Sequence, residues 1–162
     1  MNFQWTGTLE TLKTTLQAQG WKSPPSLSPM SAISWLAPEP DIAALPILPQ
    51  VNDGQHQSLL LVGPQLANKK TLIILRLWPS ELELLPGNIP VWTGNAAYLH
   101  LDKDLPLITY LRTGEDFETP LQHLMKALIS SHRVRLAQRH RLVANEQMHT
   151  QVNVLLAWES GL

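Results

Sequence analysis

Residues Thr71–Ser80, TLIILRLWPS, read as a buried strand with an arginine, Arg76, set in its middle. A guanidinium stays charged at any relevant pH, and burying it without a partner costs on the order of several kcal/mol. Either Arg76 has a role, or the strand is less buried than its neighbours suggest. Alternation puts Arg76 on the face of Leu72, Ile74 and Trp78, and puts Ile73, Leu75 and Leu77 on the other. The second face is uniformly apolar and is the better core candidate. On its own face the Arg76 stem can cover Trp78 while the head reaches water or a carboxylate, with Asp53 and Glu81 as acidic candidates. A structural arginine, stacked and salt-bridged, is the expectation. An unpaired guanidinium facing an open pocket would point instead to a ligand contact.

The rest of the chain surrounds this strand with an α+β pattern. Phe3–Trp5 suggests a first short strand. Thr8 can cap a helix over 8–19 that carries Leu9, Leu12 and Leu16 on one side and ends at Gly20. Met30–Ala37 has room for a short helix, whereas the prolines of 38–50 argue against regular structure. The turn signal Asn52–Gly54 opens the β part, and Leu59–Val62 pairs with Leu72–Trp78 as a hairpin. VWTGNAAYLHL (91–101) is a third extended run with Gly94 as a bulge candidate, and the mixed stretch 102–117 resists assignment. Thr119 as cap and Pro120 at the first helical position start a helix that buries Leu121, Leu124, Met125 and Leu128. In 133–142 the arginines recur at period two opposite Val134, Leu136 and Leu142, which favours a strand. Val152, Val154, Leu156 and Trp158 alternate in the last strand. The expected fold is one α+β domain over residues 1–162, a mostly antiparallel sheet of about five strands packed against two or three helices.

Composition removes several functions. With 162 residues, 44% hydrophobic and 15% charged, the chain can build a real core. It has no cysteine, so disulfides, zinc–cysteine sites, iron–sulfur ligation and thiol catalysis are excluded. A net charge of −1 offers no whole-chain attraction to nucleic acid, and no aromatic residues interleave with the basic run, so no nucleic-acid partner is expected. No apolar run approaches the roughly 20 residues of a membrane helix, and MNFQWTG lacks a signal-peptide plan, so a soluble chain is expected.

Catalytic and cofactor motifs are missing. There is no phosphate-cradling glycine loop, no dinucleotide fingerprint, no HExxH and no serine in a nucleophile elbow, so neither an enzyme nor a cofactor is expected. His100, Asp102 and Asp104 share a strand face and are the best metal candidate, although a solvated strand end is the simpler reading. Ser130–Arg133, SSHR, places a serine near a histidine, but sequence neighbours seldom meet as nucleophile and base. Arg133, Arg135, Arg139 and Arg141 stand with Lys126 in a span free of acidic residues. That face suits an anion, a lipid headgroup or an acidic partner, against the simpler reading of a solvated face offset by Asp102, Asp104, Glu115, Asp116 and Glu118. Trp78, Trp92 and Tyr98 can line an aromatic groove beside Arg76, or pack the core.

LRLWPS (75–80) followed by PVWTG (90–94) resembles the LssY C-terminal-like domain family. FQWTG near the start, LQAQGW (16–21), LPILPQVNDG (45–54) and GEDFETPLQHL (114–124) match it as well, so the resemblance spans nearly the whole chain. It implies a bacterial domain often found behind membrane segments of the PAP2 phosphatase type, sometimes with a DedA-like part. It carries no residue-level activity. The PSGH-type element of the phosphatase is absent here, and SSHR is not that motif.

The expected function is a non-catalytic accessory domain that binds a ligand or partner and is associated with a membrane protein, either PAP2-phosphatase-like, in the same polypeptide or complex, or secretion-linked, at the bacterial inner membrane. Its candidate contacts are Arg76, Trp78, Trp92, Arg133, Arg135, Arg139 and Arg141, with anionic lipid or phosphate as possible ligands. The alternatives are an anion- or headgroup-binding module on the basic strand face, and an uncharacterised hydrolase.

Overall fold

The computed structural model describes residues 1–28, 35, 40–66, 70–105, 108–142 and 149–161, leaving aside the side chains of 103–105, 108–109, 140–142 and 149–151. The strands are β1 (Phe3–Thr6), β2 (Val51–Asn52), β3 (Gln55–His56), β4 (Leu59–Val62), β5 (Thr71–Leu84), β6 (Ile89–Leu105), β7 (Ile108–Thr113), β8 (Arg133–Leu142) and β9 (His149–Trp158). Helix α1 covers Leu9–Ala18 and α2 covers Glu118–Leu128. Seven strands form one sheet in the order β4-β5-β6-β1-β9-β8, with β7 also paired to β6. All its pairings are antiparallel except β1 with β9. The fold is therefore α+β, with more strands than the sequence suggests. The difference lies largely in 102–113, where the end of β6 and β7 form a hairpin whose polar residues hide the alternation.

Local signals explain most boundaries. Thr8 is extended and its side-chain oxygen accepts from the Thr11 amide, which starts α1 with Leu12 and Leu16 buried. Gly20, at φ +85°, lets the Trp21 amide turn back to the Leu16 carbonyl and ends it. Asp53 and Gly54 both have positive φ, as the tight turn between β2 and β3 requires. Helix α2 starts earlier than expected. Asp116, rather than Thr119, accepts from the amides of Glu118 and Thr119 at 2.9 and 3.1 Å, so Pro120 sits within the first turn, where its missing N–H costs nothing. The helix expected at Met30–Ala37 falls, apart from Trp35, outside the described residues.

Both faces of β5 are covered. Toward the helices, Ile73, Leu75 and Leu77 join Phe3, Trp5, Leu12, Leu16, Leu124 and Leu155 in the main core. On the other face, Leu72 and Ile74 meet Ala97, Leu99, Ile42 and Ile47 in a second, smaller core. Ile42 and Ile47 come from the proline-bearing segment 40–50, which has one 3₁₀ turn at Ile42–Ala44 and is otherwise irregular, and which acts as a strap over this half of the sheet. All eight residues from Thr71 to Trp78 are buried. The strand is as buried as its apolar neighbours suggest, Arg76 included.

Gly94 is not a bulge. Its register runs unbroken to Leu77 on one side and Phe3 on the other, and the irregularity lies instead between Pro79 and Glu83, where Pro79 has no N–H for the ladder. A Cβ at Gly94 would stand 2.7 Å from the Arg76 carbonyl oxygen and 3.1 Å from the Phe3 ring. Beside it, Asn2 is buried and extends β1 by its side chain: its amide nitrogen donates to the Ala96 carbonyl and its oxygen accepts from the Ala96 amide, both at 2.8 Å.

Two substitutions test this junction by chemical denaturation. Gly94→Ala meets backbone that cannot give way and is expected to lose about 1–3 kcal/mol. Asn2→Ala strands a buried amide and carbonyl of Ala96 and is expected to lose a similar ~1–3 kcal/mol.

Candidate functional site

Arg76 lies on the strap side of β5, between Leu60 of β4 and Asn95 of β6, and is 4% exposed. Its one hydrogen bond among the described residues runs from Nη2 to the Leu48 carbonyl at 3.4 Å, a long contact to a neutral acceptor. Two residues on, the Trp78 indole N–H donates to the Gln50 carbonyl, also at 3.4 Å. Alternate residues of β5 thus hold alternate carbonyls of the strap. The Arg76 Nε is buried with no partner. Burial pushes its pKa down, and no carboxylate among the described residues opposes the shift.

The guanidinium opens onto a cavity of about 520 Å³. The strap residues Ile47–Gln50 form one wall, and Leu99, Tyr110, Leu111 and Thr113 form another, with Trp35 alongside. Among the described lining residues, Arg76 is the only charged one. The expected salt bridge to Asp53 or Glu81 is absent: the ion pair found among the described residues joins Arg112 to Asp102 at 3.4 Å. The strap accounts for this, because it covers Arg76 with backbone carbonyls and apolar side chains instead of an acid.

The structure separates the other candidates. Trp78 shares the face of Arg76, but Trp92 pairs with Trp5 on the helix side and donates its indole N–H to the Gly7 carbonyl at 3.0 Å. Tyr98 also lies on the helix side, opposite Ile73. The aromatic groove beside Arg76 therefore does not form, because even-numbered residues of β6 face away from it. Arg133, Arg135 and Arg139 are exposed on β8, opposite Trp158, Leu156 and Val152 of β9 and more than one strand away from Arg76; the side chain of Arg141 lies outside the described residues. Leu136, on the apolar face of β8 opposite the arginines, is nonetheless 50% exposed at the sheet's edge. Glu118 accepts from Asn153 at 2.7 Å instead of pairing with the arginines.

Two members of the metal trio have other partners. His100 Nδ1 is 3.0 Å from the Thr71 hydroxyl, Asp102 pairs with Arg112, and the Asp104 side chain lies outside the described residues. Among the described residues no three His, Asp or Glu side chains converge.

His132 turns away from its serine neighbours. Its Nε2 lies 2.8 Å from the Thr15 hydroxyl, its ring meets Trp5 edge-on at 5.0 Å, and its Nδ1 is buried without a partner. A hydroxyl beside an imidazole resembles a nucleophile and its base, but the third member is missing. Glu159 is occupied by the Thr11 hydroxyl and the Thr8 amide, so nothing orients Nδ1. Neither Thr15 nor Glu159 stood out in the sequence, since the contacts join residues more than 100 positions apart.

Burial lowers the His132 pKa, partly opposed by Glu159. The folded state therefore binds this proton less readily than the unfolded chain. Stability from this group is complete above the unfolded value of about 6.5 and falls as pH drops through the window beneath it. Urea titrations from pH 7 to 5 are expected to show a steeper loss in the wild type than in His132→Gln; parallel curves refute the assignment.

Among the described residues no helix is long and apolar enough to cross a membrane. No curated protein matches the chain, and no solved structure does. The family model described as LssY C-terminus matches residues 1–153, and with that coverage the chain belongs to the LssY C-terminal family.

Proposed function

We propose that this chain is a non-catalytic binding domain whose strap-covered cavity receives an anionic group on Arg76. The observation that carries the reading is a guanidinium 4% exposed, without a carboxylate among the described residues, lining a cavity of about 520 Å³. Sites for small molecules span roughly 300–1,000 Å³ and combine apolar walls with a few placed polar groups. An uncompensated buried cation lowers stability, and one long bond to a carbonyl offsets little of that cost. A bound carboxylate or phosphate oxygen supplies the missing charge, and the forked donors of arginine suit it.

The non-catalytic part of the proposal rests on the lone Thr15–His132 contact with no orienting acid. Service to a membrane-embedded, phosphatase-like partner at the bacterial inner membrane rests on the family membership. The exposed arginines of β8 fit the simpler role of guarding a sheet edge, where charge discourages pairing with another chain.

Arg76→Leu separates a ligand contact from a strap anchor. With a ligand role, the variant melts within a few degrees of the wild type or above it, while small carboxylates raise the melting temperature of the wild type alone. A fall of ten degrees or more in the variant, with no carboxylate response in the wild type, assigns Arg76 to holding the strap.

A further inference from the structure

The walls of the Arg76 cavity say more about its occupant than the charge does. Ile47, Leu99 and Leu111 present aliphatic surface. Leu99 and Ile47 belong to the second core, so these walls are held rigidly by packing. Gln50 and Thr113 are the uncharged polar side chains at the rim. One cation serves the whole described lining.

We infer that the ligand is a singly charged anion carried on an apolar body, in the class of medium-chain alkyl or aryl carboxylates; this rests on the anion reading above. A dianion such as inorganic phosphate leaves its second charge desolvated with no cation to meet it, and the imbalance grows for nucleotides and polyphosphates. A small hydrated anion such as acetate satisfies Arg76 but leaves the apolar walls uncovered. A neutral apolar molecule covers the walls but leaves the guanidinium unpaired. A monoanion with an apolar body satisfies both, because burying each methylene contributes about 0.8 kcal/mol beyond the ion pair.

The test is a titration of the whole 162-residue chain with acetate, inorganic phosphate, octanoate, octanol and octylamine. Affinity is read by calorimetry and location by amide chemical shifts, below the micelle concentration of each amphiphile. Octanoate is expected to bind at least tenfold more tightly than acetate, phosphate, octanol or octylamine, with shifts concentrated at 47–50, 99 and 110–113. Arg76→Leu is expected to lose at least tenfold in octanoate affinity. Leu111→Gln, a milder change in the wall, narrows the octanoate-to-acetate ratio and keeps the test valid if Arg76→Leu does not fold. Acetate or phosphate binding as tightly as octanoate overturns the apolar-body inference and leaves the anion reading standing. Octanol or octylamine equal to octanoate, or no anion bound at these residues, overturns both.

Discussion

The architecture depends on four residues, Phe3–Thr6, lodged as β1 between β6 and β9. Its antiparallel ladder to β6 and parallel ladder to β9 join two pieces that otherwise do not touch within the sheet: the β4–β7 half and the β8–β9 hairpin. So short a strand holds the position because its alternate side chains, Phe3 and Trp5, are fully buried in the main core. Asn2 extends the pairing with side-chain atoms that imitate a peptide group against Ala96. The Gly94 backbone completes the fit, since any Cβ there would meet the carbonyl of Arg76.

That junction leads directly to the cavity. The length of β6 lets it pair with β1 at one end and β7 at the other along the same edge, while β5 occupies its opposite edge. One end of the sheet is therefore wide enough to need covering on both faces. The helices cover one face. The strap covers the other with Ile42 and Ile47, and its prolines keep it from forming a strand or helix of its own. An irregular cover leaves gaps that a helix would fill, and Arg76 stands beside one of them. The arginine and the cavity are in that sense a single feature of the strap.

Much of this was legible in the sequence. The two helices, the β4–β5 hairpin and the arginine-bearing strand β8 follow from spacing and caps, because those signals are local. The alternation in TLIILRLWPS assigned Leu75 to the main core and Arg76 to the opposite face, and both placements hold. That opposite face ends neither in water nor beside a carboxylate of the described residues, but under the strap. Nothing in the spacing of residues 40–50 tells which face of which strand that segment will cover. Likewise, no local signal in the sequence separates Trp92 from Arg76; its register on β6 sends it to the other side of the sheet.

The sequence by itself determined both helices, most of the strands apart from β7, and which face of β5 enters the main core. Those properties follow from periodicity, capping and turn residues within a few positions of one another, while the family follows from short motifs spread along the chain. Only the tertiary structure decided that Arg76 lacks an acid among the described residues, that the strap roofs it, and that His132 meets Thr15 instead of its neighbouring serines. Each of these joins residues tens of positions apart, through burial that exists only after the sheet has closed around β1.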